Sequence, residues 1–167
     1  MEIEIRCGSL LEAKVQAIVN PANGQGLMGG GVAGVIKRVA GKQVEVEAMS
    51  QAPIPVGHAI VTSGGKTCYR GIIHAPTMAR PSERIGVENV RKAMRAALEV
   101  AEREGFENLA VPGMGTGVGG VKPLEAAQVM MEEIHAFRST SLKHIILVDV
   151  NDELVQAWMK YRPSSGQ

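Results

Sequence analysis

Aromatic residues, cysteines and unbalanced charge are all scarce in this 167-residue chain. Two Phe, two Tyr and one Trp leave few rings on which a nucleic-acid base could stack. Eighteen basic residues are balanced by seventeen acidic ones, and the formal net charge of +1 creates no field that would attract nucleic acid or an acidic membrane surface. The composition therefore argues against nucleic acid or a membrane as a partner.

The two cysteines, Cys7 and Cys68, lie in apolar, strand-like segments without the spacing of a zinc site or a disulfide framework. We expect both to be small core residues in a reducing compartment. The sequence has no apolar run of membrane-spanning length, and Met1 leads directly into an alternating segment rather than a signal peptide. These absences predict a cytoplasmic protein without a bound metal.

Glycine, in contrast, is abundant and concentrated in two segments. Of 20 glycines, six lie in residues 20–34, the first glycine stretch, and five lie in residues 112–121, the second glycine stretch. Each stretch follows a short apolar run and precedes a helical pattern. Glycine allows a ligand to approach the backbone closely, and the unpaired N–H groups at a helix start suit a phosphate. We expect both stretches to contact one ligand.

Hydrophobic periodicity predicts strands that alternate with helices along the chain. The expected strands are residues 2–7, 16–20, 58–63, 69–75, 108–111 and 144–150, and the expected helices are residues 32–40, 43–50, 87–103, 123–137 and 152–161. We expect the first strand near a sheet edge, an antiparallel hairpin across residues 64–66, and a fourth helix that buries Leu124. This order is typical of an α/β fold, a three-layer α/β/α sandwich with a mixed, mostly parallel sheet. We expect one domain over residues 1–162, followed by a flexible tail at 163–167.

Both glycine stretches contain the GxGxxG pattern of dinucleotide-binding proteins. One copy of the pattern starts at Gly29 and the other at Gly115. That fold requires an acidic residue about 20 positions later to hold a ribose. Residues 53–60 contain no carboxylate, and Asp149 lies too far beyond the second pattern. The GxxxxGK[ST] pattern of a P-loop is also missing. The sequence therefore disfavours an NAD(P) dehydrogenase and a P-loop nucleotidase.

Neither glycine stretch contains Asp, Glu, His, Cys, Lys or Ser, so neither supplies a usual general acid, general base or nucleophile. An enzyme built on these stretches must work by positioning. His74 lies in an apolar run, where we expect a hydrogen-bonded core residue. The Asn23-Gly24 dipeptide allows two interpretations, a tight turn or a carboxamide that binds a sugar hydroxyl.

Residues 18–23 (IVNPAN), residues 29–33 (GGGVA) and residues 115–120 (GTGVGG) before Pro123 together resemble the macro domain family of ADP-ribose-binding modules. The resemblance covers essentially the whole chain. It implies an α/β/α sandwich whose crevice takes ADP-ribose. Family members either read ADP-ribose or hydrolyse its derivatives, namely mono-ADP-ribosyl groups on proteins, ADP-ribose 1″-phosphate or O-acetyl esters.

The resemblance also implies residue roles. The pyrophosphate would accept hydrogen bonds from N–H groups of residues 31–33 and 116–119, and Asn23 would contact the distal ribose. Asn23 and Gly30 are the candidate catalytic residues, because they would position a water. The full expected ligand-binding set is Ser9, Leu10, Asn20, Ala22, Asn23, Gly29, Gly30, Gly31, Val32, Ala33, Gly115, Thr116, Gly117, Val118, Gly119 and Asn151, with no cofactor.

Three residues depart from the family pattern. Ser9 replaces an Asp that often accepts from the adenine amine, Ala33 replaces an Asp of the most active deacetylase-like branch, and Gly119 replaces an aromatic beside the distal ribose. Ser9 would accept the adenine proton more weakly than a carboxylate. Two further interpretations therefore remain beside a hydrolase. One is a non-catalytic reader of ADP-ribosylated proteins, and the other is a binder of another adenine nucleotide or poly(A).

Overall fold

The computed structural model describes residues 1–162, so the predicted tail at 163–167 lies outside the described residues. The strands are β1 (Glu2–Cys7), β2 (Ala17–Asn23), β3 (Ile60–Thr62), β4 (Gly71–Met78), β5 (Asn108–Val111) and β6 (His144–Asp149). The helices are α1 (Gly31–Ala40), α2 (Lys42–Ser50), α3 (Val87–Arg103), α4 (Pro123–Ala136) and α5 (Asp152–Tyr161), with a short 3-10 turn at Leu10–Glu12.

The six strands form one sheet in the order β1-β6-β5-β2-β4-β3. All neighbouring strands are parallel except β3 and β4, which confirms the predicted antiparallel pair. β1 lies at the edge of the sheet, as its alternating pattern predicts. Because the other strands run in one direction, the carboxyl ends of β2, β5 and β6 meet at the same edge.

Alternating side chains of the strands supply two hydrophobic cores, one on each face of the sheet. On β2, Ala17 and Val19 pack with α3, α4 and α5, whereas Ile18 packs with residues of α1 and α2. Trp158 of α5 is completely buried in the first core. This arrangement confirms the predicted α/β/α sandwich, because each central strand is covered on both faces.

Three predictions about individual side chains are wrong. Cys7 and Cys68 are exposed, not buried. Cys7 ends the edge strand, and Cys68 lies in the connection between β3 and β4. Leu124 is also exposed, because it lies in the first turn of α4 before the buried face begins at Ala126. The helix was predicted correctly, but its first turn projects beyond the core.

β2 is longer than predicted and runs through Asn23, because Pro21 and Ala22 continue the parallel pairing with β4. Asn20 is consequently a strand residue, and its register partner is His74. Both side chains are completely buried, which confirms that His74 is a core residue.

None of the helices within residues 1–162 combines the length and the apolarity needed to cross a membrane.

Candidate functional site

A cleft of about 780 Å³ lies at the carboxyl ends of the central strands, between the two glycine stretches. Most of the expected ligand-binding residues line it: Ala22, Asn23, Gly29, Gly30, Gly31, Val32, Ala33, Gly115, Thr116, Gly117, Val118, Gly119 and Asn151. The structure therefore brings the two stretches to opposite sides of one cleft.

The first glycine stretch presents the start of α1 to this cleft. Gly30 is the N-cap and provides no side-chain hydrogen bond to the helix. Gly31 has a φ of 58°, a left-handed conformation that a side chain would disfavour. The N–H groups of the first turn have no acceptor within the helix and carry the positive end of its dipole. This end of the cleft is therefore suited to an anion.

Asn23 lines the cleft and also shapes the stretch that follows it. Its Oδ1 accepts hydrogen bonds from the N–H groups of Gln25 at 3.0 Å and Leu27 at 3.3 Å, and its Nδ2 donates to the Leu27 carbonyl at 2.9 Å. The two interpretations of Asn23 are therefore compatible. An amide nitrogen carries two hydrogens, so one remains for a ligand.

Gly24 joins the first stretch to the end of β4. Its N–H donates to the Met78 carbonyl at 2.8 Å. A Cβ at Gly24 would lie 2.8 Å from the carbonyl oxygens of Ala79 and Ile54, both of which belong to the backbone. Only glycine therefore permits this close approach, which fixes the position of Asn23 at the cleft.

Glu45 is a cleft residue that sequence reasoning missed. Glu45 lies on α2, is 7% exposed as a residue, and its carboxylate accepts a hydrogen bond from the Met28 N–H at 2.7 Å. Its other oxygen is 2.8 Å from the Lys37 ammonium. These two donors, Lys37 above all, hold the pKa of the Glu45 carboxyl below its ordinary value. Glu45 thus anchors the backbone just before the glycine run.

Asp149 is the second carboxylate that sequence analysis did not assign to the site. One oxygen accepts from the Gly113 N–H and the other from the Asn151 N–H, both at 2.9 Å. The side chain is half-buried and lines the cleft at the end of β6. The signal in the sequence is a polar residue at the carboxyl end of an apolar parallel strand, but the dinucleotide-binding pattern alone does not identify Asp149 as a cleft residue.

The second glycine stretch is closed by its own backbone. Val121 donates to the Gly115 carbonyl at 2.9 Å, and Gly120 donates to the Gly117 carbonyl at 3.1 Å. The connection between β4 and α3 reaches this loop, since Ile85 donates to the Gly119 carbonyl at 3.0 Å. The same connection begins beside Gly24, so it links the two sides of the cleft.

Three of the expected ligand-binding residues lie away from the cleft lining. Ser9 accepts from the Leu11 N–H at 3.2 Å and caps the 3-10 turn. Leu10 is buried in the core formed with α1. Asn20 is completely buried and hydrogen-bonds the His74 ring, with 3.1 Å between Nδ2 and Nδ1. Their motif positions are adjacent to the cleft, but their side chains are used by the fold.

Another depression, of about 640 Å³, lies at the opposite, amino end of the sheet. It is lined by residues that include Lys14, Lys66 and Tyr69. The Tyr69 hydroxyl donates to the Ala13 carbonyl at 2.8 Å, and burial raises the pKa of this hydroxyl.

Within residues 1–162, His, Cys, Asp and Glu form no group of three that could hold a metal ion. The glycine cleft is therefore the strongest candidate site.

The sequence of this chain is similar to those of known proteins. Residues 19–130 match the family model described as Macro domain. An uncharacterized protein of Aquifex aeolicus is 54% identical over 160 residues, which cover 96% of this chain and 97% of that protein. A Salmonella gallinarum protein named O-acetyl-ADP-ribose deacetylase is 32% identical over 171 residues, covering 98% of this chain and 96% of its own.

Solved structures agree with the sequence matches. The Trypanosoma brucei macrodomain in complex with ADP has a TM-score of 0.86 and 25% identity, covering 96% of this chain and 68% of its own. A mutant Oceanobacillus iheyensis macrodomain with ADPR has a TM-score of 0.85 and 25% identity, covering 95% of this chain and 90% of its own. Because the matched segment contains both glycine stretches and the fold agrees throughout, the chain belongs to the macro domain family.

Proposed function

We propose that this chain binds ADP-ribose in the cleft between the two glycine stretches. The observation that carries the proposal is the start of α1, where Gly30 offers no side-chain cap and residues 29–33 line the cleft. A pyrophosphate there would accept from the N–H groups of residues 31–33 and 116–119. The solved relatives that contain ADP or ADP-ribose support this ligand class.

Calorimetric titration with ADP-ribose tests the proposal, with ADP, AMP, NAD and poly(A) as comparisons at one salt concentration. We expect micromolar or tighter binding of ADP-ribose and weaker binding of the others. Strong, steeply salt-dependent binding of poly(A) would instead favour a nucleic-acid partner. If ADP-ribose does not bind, the assignment to this ligand is wrong, although the fold is unaffected.

We further propose that the cleft supports slow hydrolysis of ADP-ribosyl derivatives by a positioned water. The remaining N–H of Asn23 would hold the distal ribose beside Gly30. With O-acetyl-ADP-ribose, water would add to the ester carbonyl, and acetate and ADP-ribose would be released. The relative named O-acetyl-ADP-ribose deacetylase makes this ester the first substrate to test.

A non-catalytic reader of ADP-ribosylated proteins is the second candidate function. It is favoured by Ala33, which supplies no carboxylate, and by the two cleft carboxylates, Glu45 and Asp149, which both accept backbone N–H groups. The Asn23→Ala variant separates the two functions. In a reader this variant should lose affinity modestly, whereas in a positioning enzyme turnover should fall much more than binding. Unchanged turnover would exclude the catalytic role of Asn23.

A further inference from the structure

We infer that Asp149 is the residue that selects adenine among the bases a nucleoside diphosphate ribose could carry. The inference rests on the proposed function and adds a base-reading residue to it. Asp149 lies at the end of β6, half-buried, with its carboxylate on the cleft. Its register partner on β1 is Cys7, so it lies beside the Gly8-Ser9 segment.

The two cleft carboxylates differ in how many hydrogen-bond acceptor positions remain free for a ligand. Glu45 is 7% exposed, and its oxygens are taken by the Met28 N–H and the Lys37 ammonium. Asp149 holds the N–H groups of Gly113 and Asn151, one on each oxygen. A carboxylate has about four lone-pair positions, so Asp149 can accept further hydrogen bonds from a bound molecule.

A carboxylate repels phosphate, so Asp149 must face a part of the ligand that is neutral and donates hydrogen bonds. In ADP-ribose, the adenine amine and the ribose hydroxyls meet this requirement. Asn23 lies at the end of β2, which is separated from β6 by β5. The two strands are therefore about 10 Å apart across the sheet, at a spacing of about 4.8 Å per strand. With the distal ribose at Asn23, the adenosine half reaches toward Asp149.

Asn151 adds a donor to this acceptor. Its Oδ1 accepts from the Leu154 N–H at 3.3 Å, so the two hydrogens of its amide nitrogen take no part in this cap and can be donated to a ligand. Asn151 lines the cleft with Asp149. An acceptor beside a donor matches the adenine edge, where an amine lies beside a ring nitrogen that accepts. Hypoxanthine presents the reverse order, an oxygen beside a ring N–H.

Ser9 does not provide an equivalent acceptor. Its hydroxyl oxygen already accepts from the Leu11 N–H, and it lies outside the cleft lining. A neutral hydroxyl also accepts more weakly than a carboxylate. Adenine selection therefore falls to the neighbouring strand end, where Asp149 is fixed by two backbone hydrogen bonds.

The test compares ADP-ribose with its hypoxanthine analogue, IDP-ribose, by calorimetry on the wild-type chain and on Asp149→Asn. We expect the wild type to prefer ADP-ribose by about tenfold or more, because a mismatched base leaves unsatisfied the polar groups that it covers on binding. In Asp149→Asn this preference should fall below about threefold. The ratio is measured within one protein, so a general loss of affinity does not affect it.

Two matched variants sharpen the result. Glu45→Gln changes the other cleft carboxylate and should alter both affinities by the same factor. Ser9→Ala should leave the preference at the wild-type value. A preference that survives in Asp149→Asn, or that disappears in Ser9→Ala instead, would overturn the inference. Equal loss of both ligands in Asp149→Asn would also overturn it and would assign Asp149 to the ribose hydroxyls.

A measurement on the unaltered chain covers the case in which Asp149→Asn does not fold. The amide resonances of Gly113 and Asn151 report on the Asp149 carboxylate, since both donate to it. ADP-ribose should shift them more than IDP-ribose does at saturation, and equal shifts would contradict the inference. If the wild type binds neither ligand, the proposed function itself fails. If it binds both equally, only the role of Asp149 fails.

Discussion

At the scale of single residues, His74 is held between two buried polar side chains. Its Nδ1 is 3.1 Å from the Asn20 amide nitrogen, and its Nε2 is 2.9 Å from the Thr62 hydroxyl. Since the Thr62 hydroxyl donates to the Ser63 carbonyl, it accepts from Nε2–H, and the ring is neutral. Burial lowers the pKa of His74 to about 4.

The lowered pKa of His74 predicts that the free energy of unfolding decreases as the pH falls below 7. Between the ordinary value of 6.5 and the folded value of about 4, the unfolded chain binds a proton that the native chain does not. The free energy of unfolding should therefore fall by about 2 kcal/mol between pH 7 and pH 5. Urea unfolding at pH 7, 6 and 5 measures it. His74→Gln should lose most of this slope, and an identical slope in both proteins would exclude His74 as its source.

A second prediction concerns Glu45, which holds the backbone of the first glycine stretch at Met28. Glu45→Ala leaves the Met28 N–H and the Lys37 ammonium without their acceptor, so the free energy of unfolding should fall by about 1–3 kcal/mol. Binding of ADP-ribose should weaken as well, because the backbone before Gly29 is no longer fixed. Glu45→Gln keeps an oxygen for Met28 and should retain most of the affinity. Urea unfolding and calorimetry together check this, and full affinity in Glu45→Ala would contradict it.

At the scale of elements, local pattern was sufficient for most of the fold. Helical spacing located α3, α4 and α5, and apolar runs located β5 and β6, because their burial repeats with the period of each structure. The extension of β2 was not predictable, since Pro21 and Ala22 pair through the backbone of β4 rather than through their own preferences. Strand pairing is a long-range property that a short window does not contain.

The same distinction applies to the cleft. Its glycines were found from composition, because their crowding is visible in the chain itself. Glu45 and Asp149 were missed because their hydrogen-bond partners, Met28 and Gly113, are far away in sequence. Asn20 matched a motif but is buried, since the strand continues past it and turns its side chain toward His74. Contacts between elements therefore decide which polar residues reach the ligand.

Gly24 tests how tightly the first glycine stretch must approach β4. Gly24→Ala would place a Cβ 2.8 Å from two backbone oxygens, so the segments must separate. We expect a loss of about 1–3 kcal/mol in the free energy of unfolding, together with weaker binding of ADP-ribose. Gly86→Ala is the matched control, because a Cβ there meets nothing within 4 Å, and it should cost less than about 1 kcal/mol. Equal effects of the two substitutions would show that the close approach is not required.

At the scale of the whole molecule, one connection ties the two sides of the cleft together. The segment between β4 and α3 forms a backbone hydrogen bond with Gly24 at its beginning and another with Gly119 near its end. The cleft is thus enclosed by the sheet edge, the two glycine stretches and this connection. A ligand that contacts both stretches would therefore stabilise the whole fold rather than one loop.

Thermal unfolding measures this coupling. A ligand that binds only the native chain, at 100 times its Kd, contributes about 2.7 kcal/mol. For a chain of this size, that energy raises the melting temperature by roughly 5–10 °C. ADP-ribose should produce this shift, whereas ribose 5-phosphate at the same concentration should produce much less, because a single phosphate cannot engage both glycine stretches. Equal shifts from the two compounds would mean that one helix start binds phosphate alone and that the two stretches do not act as one site.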